Sequence, residues 1–181
     1  MEVRHASLHY LTKRSNTGFF KNPYYPKLTV TCHTSSHLWL SAQISRGPGN
    51  DAPDFAPALI EAACRVDLAS VLADAAYDSE DHHEFCRRFL GIRSCVIRIN
   101  SRGKRTWPKS RYRRSLRRHF PWRVYAQRSH VESAFSQHKR VLGSALRARS
   151  ENARHEEILL RVIVHNLMIL RRENGLFYRA A

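Results

Sequence analysis

Acidic residues are missing from a long part of this chain. Residues 85–131 contain no Asp or Glu but 15 Lys or Arg, and Glu2 is the only acid among the first 50 residues. Nine of the 15 acids lie between Asp51 and Glu84, and the net charge is +16. Positive charge in such segregated excess is typical of proteins that bind a polyanion, most often nucleic acid. The plainer alternative is a basic surface without a partner.

Cysteine pairs are missing as well. The four cysteines are scattered and form no CxxC motif, which argues against a disulfide framework and a zinc site. We therefore expect reduced thiols in a cytoplasmic, nucleoid-associated protein. Cys32, His33 and His37 could imitate a zinc trio, but they fall in a predicted hairpin turn without a fourth ligand nearby.

Two further absences narrow the class of protein. The chain has neither a GxSxG motif nor a P-loop, so nothing supports a serine hydrolase or a nucleotide-binding protein. Its longest apolar run, residues 158–170, is interrupted by Arg161, His165 and Asn166. This interruption predicts a buried helix rather than a membrane span.

The hydrophobic pattern predicts an α/β domain with parallel neighbouring strands. We expect strands at residues 28–33, 38–44, 70–74 and 94–99. Asp51 is expected to cap a helix that runs to about residue 66. Further helices are predicted at 79–90, 123–146 and 152–172, and residues 101–122, with nine Lys or Arg and no acid, are expected to form a basic loop. One domain would then span residues 1–172, followed by a C-terminal tail at 173–181.

Glu132 ends the acid-free stretch and lies on the predicted helix 123–146. At 100° per residue, Tyr125, Arg128, Glu132 and Lys139 fall within an arc of about 60°, beside an apolar stripe that packs inward. One helix face would thus present a phenol, a guanidinium, a carboxylate and an ammonium. The alternative is a solvated face with an ordinary Arg128–Glu132 ion pair, which contributes only a few tenths of a kcal/mol.

Asp74 is the second informative acid. It follows a short apolar strand, and open α/β sheets bind their ligands at the carboxyl ends of such strands. The alternative is an Asp that only forms the turn that follows. Asp78, Glu80 and Asp81 are interpreted as structural acids near a helix N-terminus.

These residues together resemble a known family. The spacing Tyr125-x2-Arg128-x3-Glu132-x6-Lys139 is similar to the YREK signature of DDE transposases of the insertion-sequence-four group, whose catalytic domain is ribonuclease-H-like. The segment Leu-Ala-Asp-Ala-Ala-Tyr-Asp-Ser at 72–79 resembles the strand that carries the second catalytic Asp of that family. Further similarities are Arg46-Gly47-Pro48 with Asp51, and His165-Asn166-Leu167.

The resemblance implies DNA strand cleavage and transfer with two Mg²⁺ ions, for which Mn²⁺ can substitute. Asp74 and Glu132 would be the second and third metal-binding acids, and Tyr125, Arg128 and Lys139 would hold the transposon end. The partner would be double-stranded DNA at transposon ends, and a homodimer in the DNA complex is compatible with this role. Additional DNA contacts are expected from the basic loop: Arg102, Lys104, Arg105, Lys109, Arg111, Arg113 and Arg114.

One element of the family pattern has no counterpart here. The first catalytic Asp belongs just before the segment that begins with Met1, and no Asp precedes Asp51. We therefore expect a truncated domain whose mixed sheet lacks its first, central strand and which is inactive alone. The alternative is a non-enzymatic, basic nucleic-acid-binding protein.

Overall fold

A central five-stranded mixed sheet organises the chain. The computed structural model describes residues 2–9, 11–12, 25–100 and 107–174. The strands are β1 Glu2–His9, β2 Leu11–Thr12, β3 Tyr25–His33, β4 Trp39–Gly47, β5 Ser70–Ala73, β6 Ser94–Ile97 and β7 Ala145–Leu146. The main sheet has the order β4-β3-β1-β5-β6, and β2 pairs with β7 separately. This is the predicted ribonuclease-H-like mixed sheet with flanking helices.

The expectation that the first, central strand is lacking is wrong. Strand β1 lies in the middle of the sheet, antiparallel to β3 (Val3 opposite His33) and parallel to β5 (His5 opposite Ala73). Its sequence, rich in charged and small residues, gives little strand signal by itself. Hydrogen-bonding partners on both sides specify this strand, and tertiary context overrides weak local preference.

Helices cover both faces of the sheet. They are α1 Phe55–Ala63, α2 Glu80–Glu84 with a π-helical continuation Phe85–Phe89, α3 Arg111–Arg118, α4 Trp122–Ala126, α5 Ser129–Leu142 and α6 Glu151–Asn174. On one face, Leu28 and Val30 pack against residues of α5 and α6. On the other, Val71 and Ala73 pack against α1 and the π-helical continuation of α2. No helix in the described ranges is long and apolar enough to cross a membrane.

The predicted basic loop is wrong for its second half, where residues 111–118 form helix α3. Two carboxylate contacts hold the beginning of this helix. The Glu80 carboxylate accepts hydrogen bonds from the backbone N–H groups of Tyr112 (2.8 Å) and Arg113 (3.1 Å). The Glu80 carboxylate of α2 thus stabilises the N-terminus of α3, because it satisfies backbone N–H groups that have no partner within the helix.

Asp51 does not cap a helix, contrary to the expectation. Its carboxylate contacts the buried Lys27 ammonium at 2.9 Å, and Asp54 contacts the same group at 3.2 Å. Burial lowers the pKa of Lys27, but the hydrogen bonds and charges of the two aspartates outweigh it and raise that pKa. A buried cation needs such partners, so Asp51 and Asp54 have structural roles.

The Arg46-Gly47-Pro48 segment is also explained by packing. A Cβ atom on Gly47 would lie 2.3 Å from the Tyr25 ring, so no larger residue fits beside that ring.

Gly143 ends α5 with φ of 83°, a left-handed conformation that favours glycine.

Candidate active site

Asp74 and Arg98 lie side by side at the carboxyl edge of the sheet. Asp74 follows β5, Arg98 follows the parallel strand β6, and the Arg98 N–H donates to the Ala73 carbonyl at 3.3 Å. Asp74 Oδ1 also accepts a hydrogen bond from the Ala76 N–H at 2.9 Å. The turn-forming interpretation of Asp74 is therefore correct, and it leaves the second carboxylate oxygen directed elsewhere.

That second oxygen meets Arg128, which bridges the two informative acids. Arg128 Nη2 lies 3.5 Å from Asp74 Oδ2, and Arg128 Nη1 lies 3.0 Å from Glu132 Oε1. Helix α5 begins directly after Arg128 and carries Glu132 in its first turn. The fold thus brings Asp74 and Glu132 to opposite ends of one guanidinium group, although 57 residues separate them in sequence. The expected i,i+4 ion pair exists, but it belongs to this larger group.

A cavity of about 470 Å³ opens beside the bridge. Its lining combines one acid, two arginines and a buried phenol with small and polar residues: Asp74, Ala75, Ala76, Arg98, Ile99, Asn100, Tyr125 and Arg128. Positive charge exceeds negative charge along these walls. A phosphodiester could be held here by arginine while the carboxylates remain within reach.

The prediction of one continuous helix carrying Tyr125, Arg128, Glu132 and Lys139 is wrong. A turn at Gln127 and Arg128, whose backbone angles remain helical, interrupts the α-helical hydrogen bonding, so Tyr125 belongs to α4 and Glu132 to α5. The break lets Tyr125 turn inward, where it is buried, while Arg128 reaches Asp74. Burial raises the pKa of Tyr125, although the charge of Arg128 acts in the opposite direction.

Lys139 lies apart from this cluster. It occupies the last turn of α5, two helical turns beyond Glu132, which corresponds to roughly 10 Å along the axis. Its side chain is exposed. Any contact with DNA made by Lys139 would therefore concern a phosphate some distance from the carboxylates.

The predicted DNA-binding cations fall into three groups. Arg102, Lys104 and Arg105 lie outside the described residues. Lys109, Arg111 and Arg114 have exposed side chains. Arg113 instead donates two hydrogen bonds of 2.8 Å to the Asp78 carboxylate, whose side chain is 1% exposed. Arg113 is thus the ionic partner of a buried acid, and its contact with DNA stays a prediction.

The sequence did not point to Arg98, Asn100 or Trp122 as site residues. A second cavity of about 370 Å³ adjoins the first through Arg98 and Ile99. It is lined by Arg98, Ile99, Leu116, Arg117, Arg118, Phe120 and Trp122. A signal for Arg98 existed, since it follows β6 as Asp74 follows β5. Nothing in the sequence pattern distinguishes Trp122 from a core residue.

Two carboxylates suit one hard divalent cation. Mg²⁺ is commonly held by one or two protein carboxylates, with waters and substrate phosphates completing its shell. Among the described residues, no group of three His, Cys, Asp or Glu side chains forms a metal cluster. On β1, His5 lies opposite Ala73, the residue before Asp74, and Glu2 lies opposite Ser70, roughly 13 Å away along the strand. Asp74 and Glu132 instead converge on the Arg128 guanidinium, which supplies the compensating positive charge between them.

Comparison with known proteins gives one family. A profile described as "Transposase DDE domain" matches residues 5–167. No curated protein matches the sequence. Among solved structures, the catalytic core domain of BIV integrase is similar with 12% identity and a TM-score of 0.46, covering 96% of each chain. A simian T-cell lymphotropic virus intasome, in complex with PP2A regulatory subunit B56 gamma, has 18% identity and a TM-score of 0.35. That match covers 56% of this chain and 35% of the other.

Proposed function

Because the chain belongs to the transposase DDE domain family, we propose that it acts in DNA transposition with Asp74 and Glu132 as its metal-binding acids. The observation that carries the assignment is the shared guanidinium: Arg128 contacts both carboxylates at the carboxyl edge of the sheet. Carboxylates that converge on one cation can converge on another. The YREK spacing around Glu132 supports placing the protein in the insertion-sequence-four group.

Each side chain at this edge has a distinct task in the proposal. A divalent cation, Mg²⁺ or Mn²⁺, supplies the Lewis acidity for in-line attack on a phosphodiester. Asp74 and Glu132 hold that cation, and Arg128, released from them, grips a phosphate in bidentate fashion. Arg98 lies beside Asp74 and adds a second cation to the same cavity. Tyr125 packs beneath the cavity and fixes where the bound strand lies.

Catalysis by these two acids alone is expected to be slow. The first acid of a DDE site has no counterpart in the described residues near Asp74, since β1 places His5 opposite Ala73, the residue before Asp74. Members of a catalytic unit act together, so loss of one costs several orders of magnitude. We therefore propose strong DNA binding with weak metal-dependent cleavage.

The partner in this proposal is double-stranded DNA at transposon ends. Binding to chromosomal DNA would associate the protein with the nucleoid. Transposition joins two ends, so a homodimer in the DNA complex is a natural arrangement for the same reaction.

The test separates metal binding from DNA binding. Mn²⁺ binding to the DNA-bound protein is titrated by electron paramagnetic resonance for the wild type, Asp74→Asn and Glu132→Gln. We expect both variants to bind DNA as well as the wild type but Mn²⁺ at least about tenfold more weakly. Asp81→Asn, which removes an exposed acid elsewhere, is the matched control and should bind Mn²⁺ normally. The proposal fails if all four proteins bind Mn²⁺ equally.

A further inference from the structure

Helix α6 carries apolar residues on two faces, and only one of them is covered. Ile158 and Val162 are buried against the sheet and α5, and Ile169 is buried as well. The predicted buried helix is thus correct for one face only. The other face exposes four large side chains: Leu160 (62%), Ile163 (54%), Leu167 (59%) and Leu170 (40%).

The spacing of the exposed residues is that of a helix-pairing seam. Steps of three, four and three residues place Leu160 and Leu167 at the first position of a heptad, and Ile163 and Leu170 at the fourth. Leu159 and Val164 widen the stripe and are also exposed. Single exposed leucines are ordinary on protein surfaces, but a continuous stripe over three helical turns marks an interaction site. A heptad seam selects another helix as its partner.

The charges along α6 indicate which helix packs on the exposed stripe, and whether the two helices run parallel or antiparallel. The beginning of α6 has a negative net charge, since Glu151 and Glu156 outweigh Arg154, and its end has a positive one, since Arg171 and Arg172 outweigh Glu173. A parallel pair of these helices would bring acids beside acids and bases beside bases. An antiparallel pair brings the acidic end of each helix to the basic end of the other. The chain is therefore complementary to itself.

We infer that helix α6 is the contact between two copies of this chain, packed antiparallel about a two-fold axis. Leu160 then lies against Leu170 of the second copy, and Ile163 lies against Leu167 of the second copy. Glu156 comes within reach of Arg171 of the second copy. Such a contact is isologous, because each pair of residues occurs twice. The surface is independent of the carboxylate cluster, so its test does not depend on the proposed reaction.

The first experiment measures mass in solution. Light scattering after size exclusion, with the DNA-free 181-residue chain at micromolar concentration, should give twice the mass of one chain. Leu160→Lys with Leu167→Lys should give the mass of a single chain, because the charges would be buried in the seam. Val141→Lys, a change at an equally exposed apolar residue on α5, should leave the dimer intact. Circular dichroism confirms folding of each variant.

The second experiment tests whether the two α6 helices are antiparallel. Glu156→Arg should weaken the dimer by repulsion from Arg171 of the second copy, and adding Arg171→Glu to the same chain should restore it. A monomeric wild type, or a dimer that survives both lysine substitutions, overturns the inference. A dimer lost on lysine substitution but not rescued by the charge exchange overturns the antiparallel arrangement.

Discussion

Two arginines show how burial decides the role of a salt bridge. Arg113 holds Asp78, whose side chain is 1% exposed, with two short hydrogen bonds. Arg128 holds Asp74 and Glu132, whose side chains are 38% and 64% exposed. Water can replace Arg128 at its acids at little cost, whereas Asp78 without Arg113 would lose its ionic partner and keep the N–H of Asn100 as a donor. The exposed bridge is therefore exchangeable and the buried one is structural.

Replacing Arg113 should destabilise the fold. Arg113→Ala strands the Asp78 carboxylate in the interior, and we expect a loss of about 3–5 kcal/mol in the free energy of unfolding. Arg114→Ala, at the exposed neighbour on the same helix, should change it by no more than about 0.5 kcal/mol. Urea unfolding of both variants at neutral pH provides the comparison, and equal losses would contradict the structural role of Arg113.

At the scale of elements, imidazole rings join α5 and α6 to the edge strand β4. Trp39 stacks on His165 with ring centroids 4.1 Å apart and lies 4.6 Å from His138. Asn166 receives a hydrogen bond from the Trp39 N–H and donates one to the Trp39 carbonyl, both at 2.9 Å. The His165-Asn166-Leu167 segment, noted first as a family similarity, thus fastens α6 to the sheet.

Burial of His138 should make stability depend on acidity. Burial, with lesser effects from neighbouring positive groups, lowers the pKa of His138 to about 3. The unfolded chain takes up this proton near pH 6.5, so the contribution to stability is full above pH 6.5 and declines as the pH falls towards 3. The decline can reach about 1.4 kcal/mol per pH unit.

The substitution that tests this pH dependence is His138→Leu, which removes the titrating group from the core. Its free energy of unfolding should fall less than that of the wild type between pH 7 and 5, as measured by urea denaturation. His119→Leu, at an exposed histidine, should retain the wild-type pH dependence. Parallel pH profiles for wild type and His138→Leu would show that His138 is not the responsible group.

The sequence predicts those secondary-structure elements whose local residue pattern is distinctive. Strands β5 and β6 are short apolar runs that end in polar residues, and Asp74 was expected at the edge where it lies. Strand β1 could not be predicted, because its neighbours in the sheet define it. The break between α4 and α5 has no glycine or proline at Gln127 or Arg128 to announce it. The break follows from the burial of Tyr125 and from the contact between Arg128 and Asp74. Both are tertiary interactions, which the local sequence pattern does not encode.

For the molecule as a whole, charge is distributed unevenly around the fold. Acids from 51–84 largely satisfy partners within the protein, as Asp51, Asp54, Asp78 and Glu80 do. The arginines of α3, apart from Arg113, mostly extend outward beside the two cavities. Internal pairing of the acids leaves the outer surface more basic than the net charge of +16 alone conveys.

DNA affinity should consequently depend strongly on salt. If about five to nine phosphates are contacted, the logarithm of the binding constant should fall against the logarithm of salt concentration with a slope of about −4 to −8. Fluorescence anisotropy with a labelled duplex measures the slope. Arg114→Ala should make it shallower by about one, whereas a flat salt response would contradict phosphate-dominated binding.

The Asn166 contact with Trp39 also has a consequence during protein synthesis. The two residues are 127 positions apart. At about 5–20 residues per second, a ribosome needs roughly 6–25 s to proceed from Trp39 to Asn166. Throughout that interval the nascent chain carries β4 with its edge uncovered at Trp39, open to pairing with strands of neighbouring chains. Chaperone demand should therefore be greatest late in translation and end when α6 leaves the ribosomal tunnel.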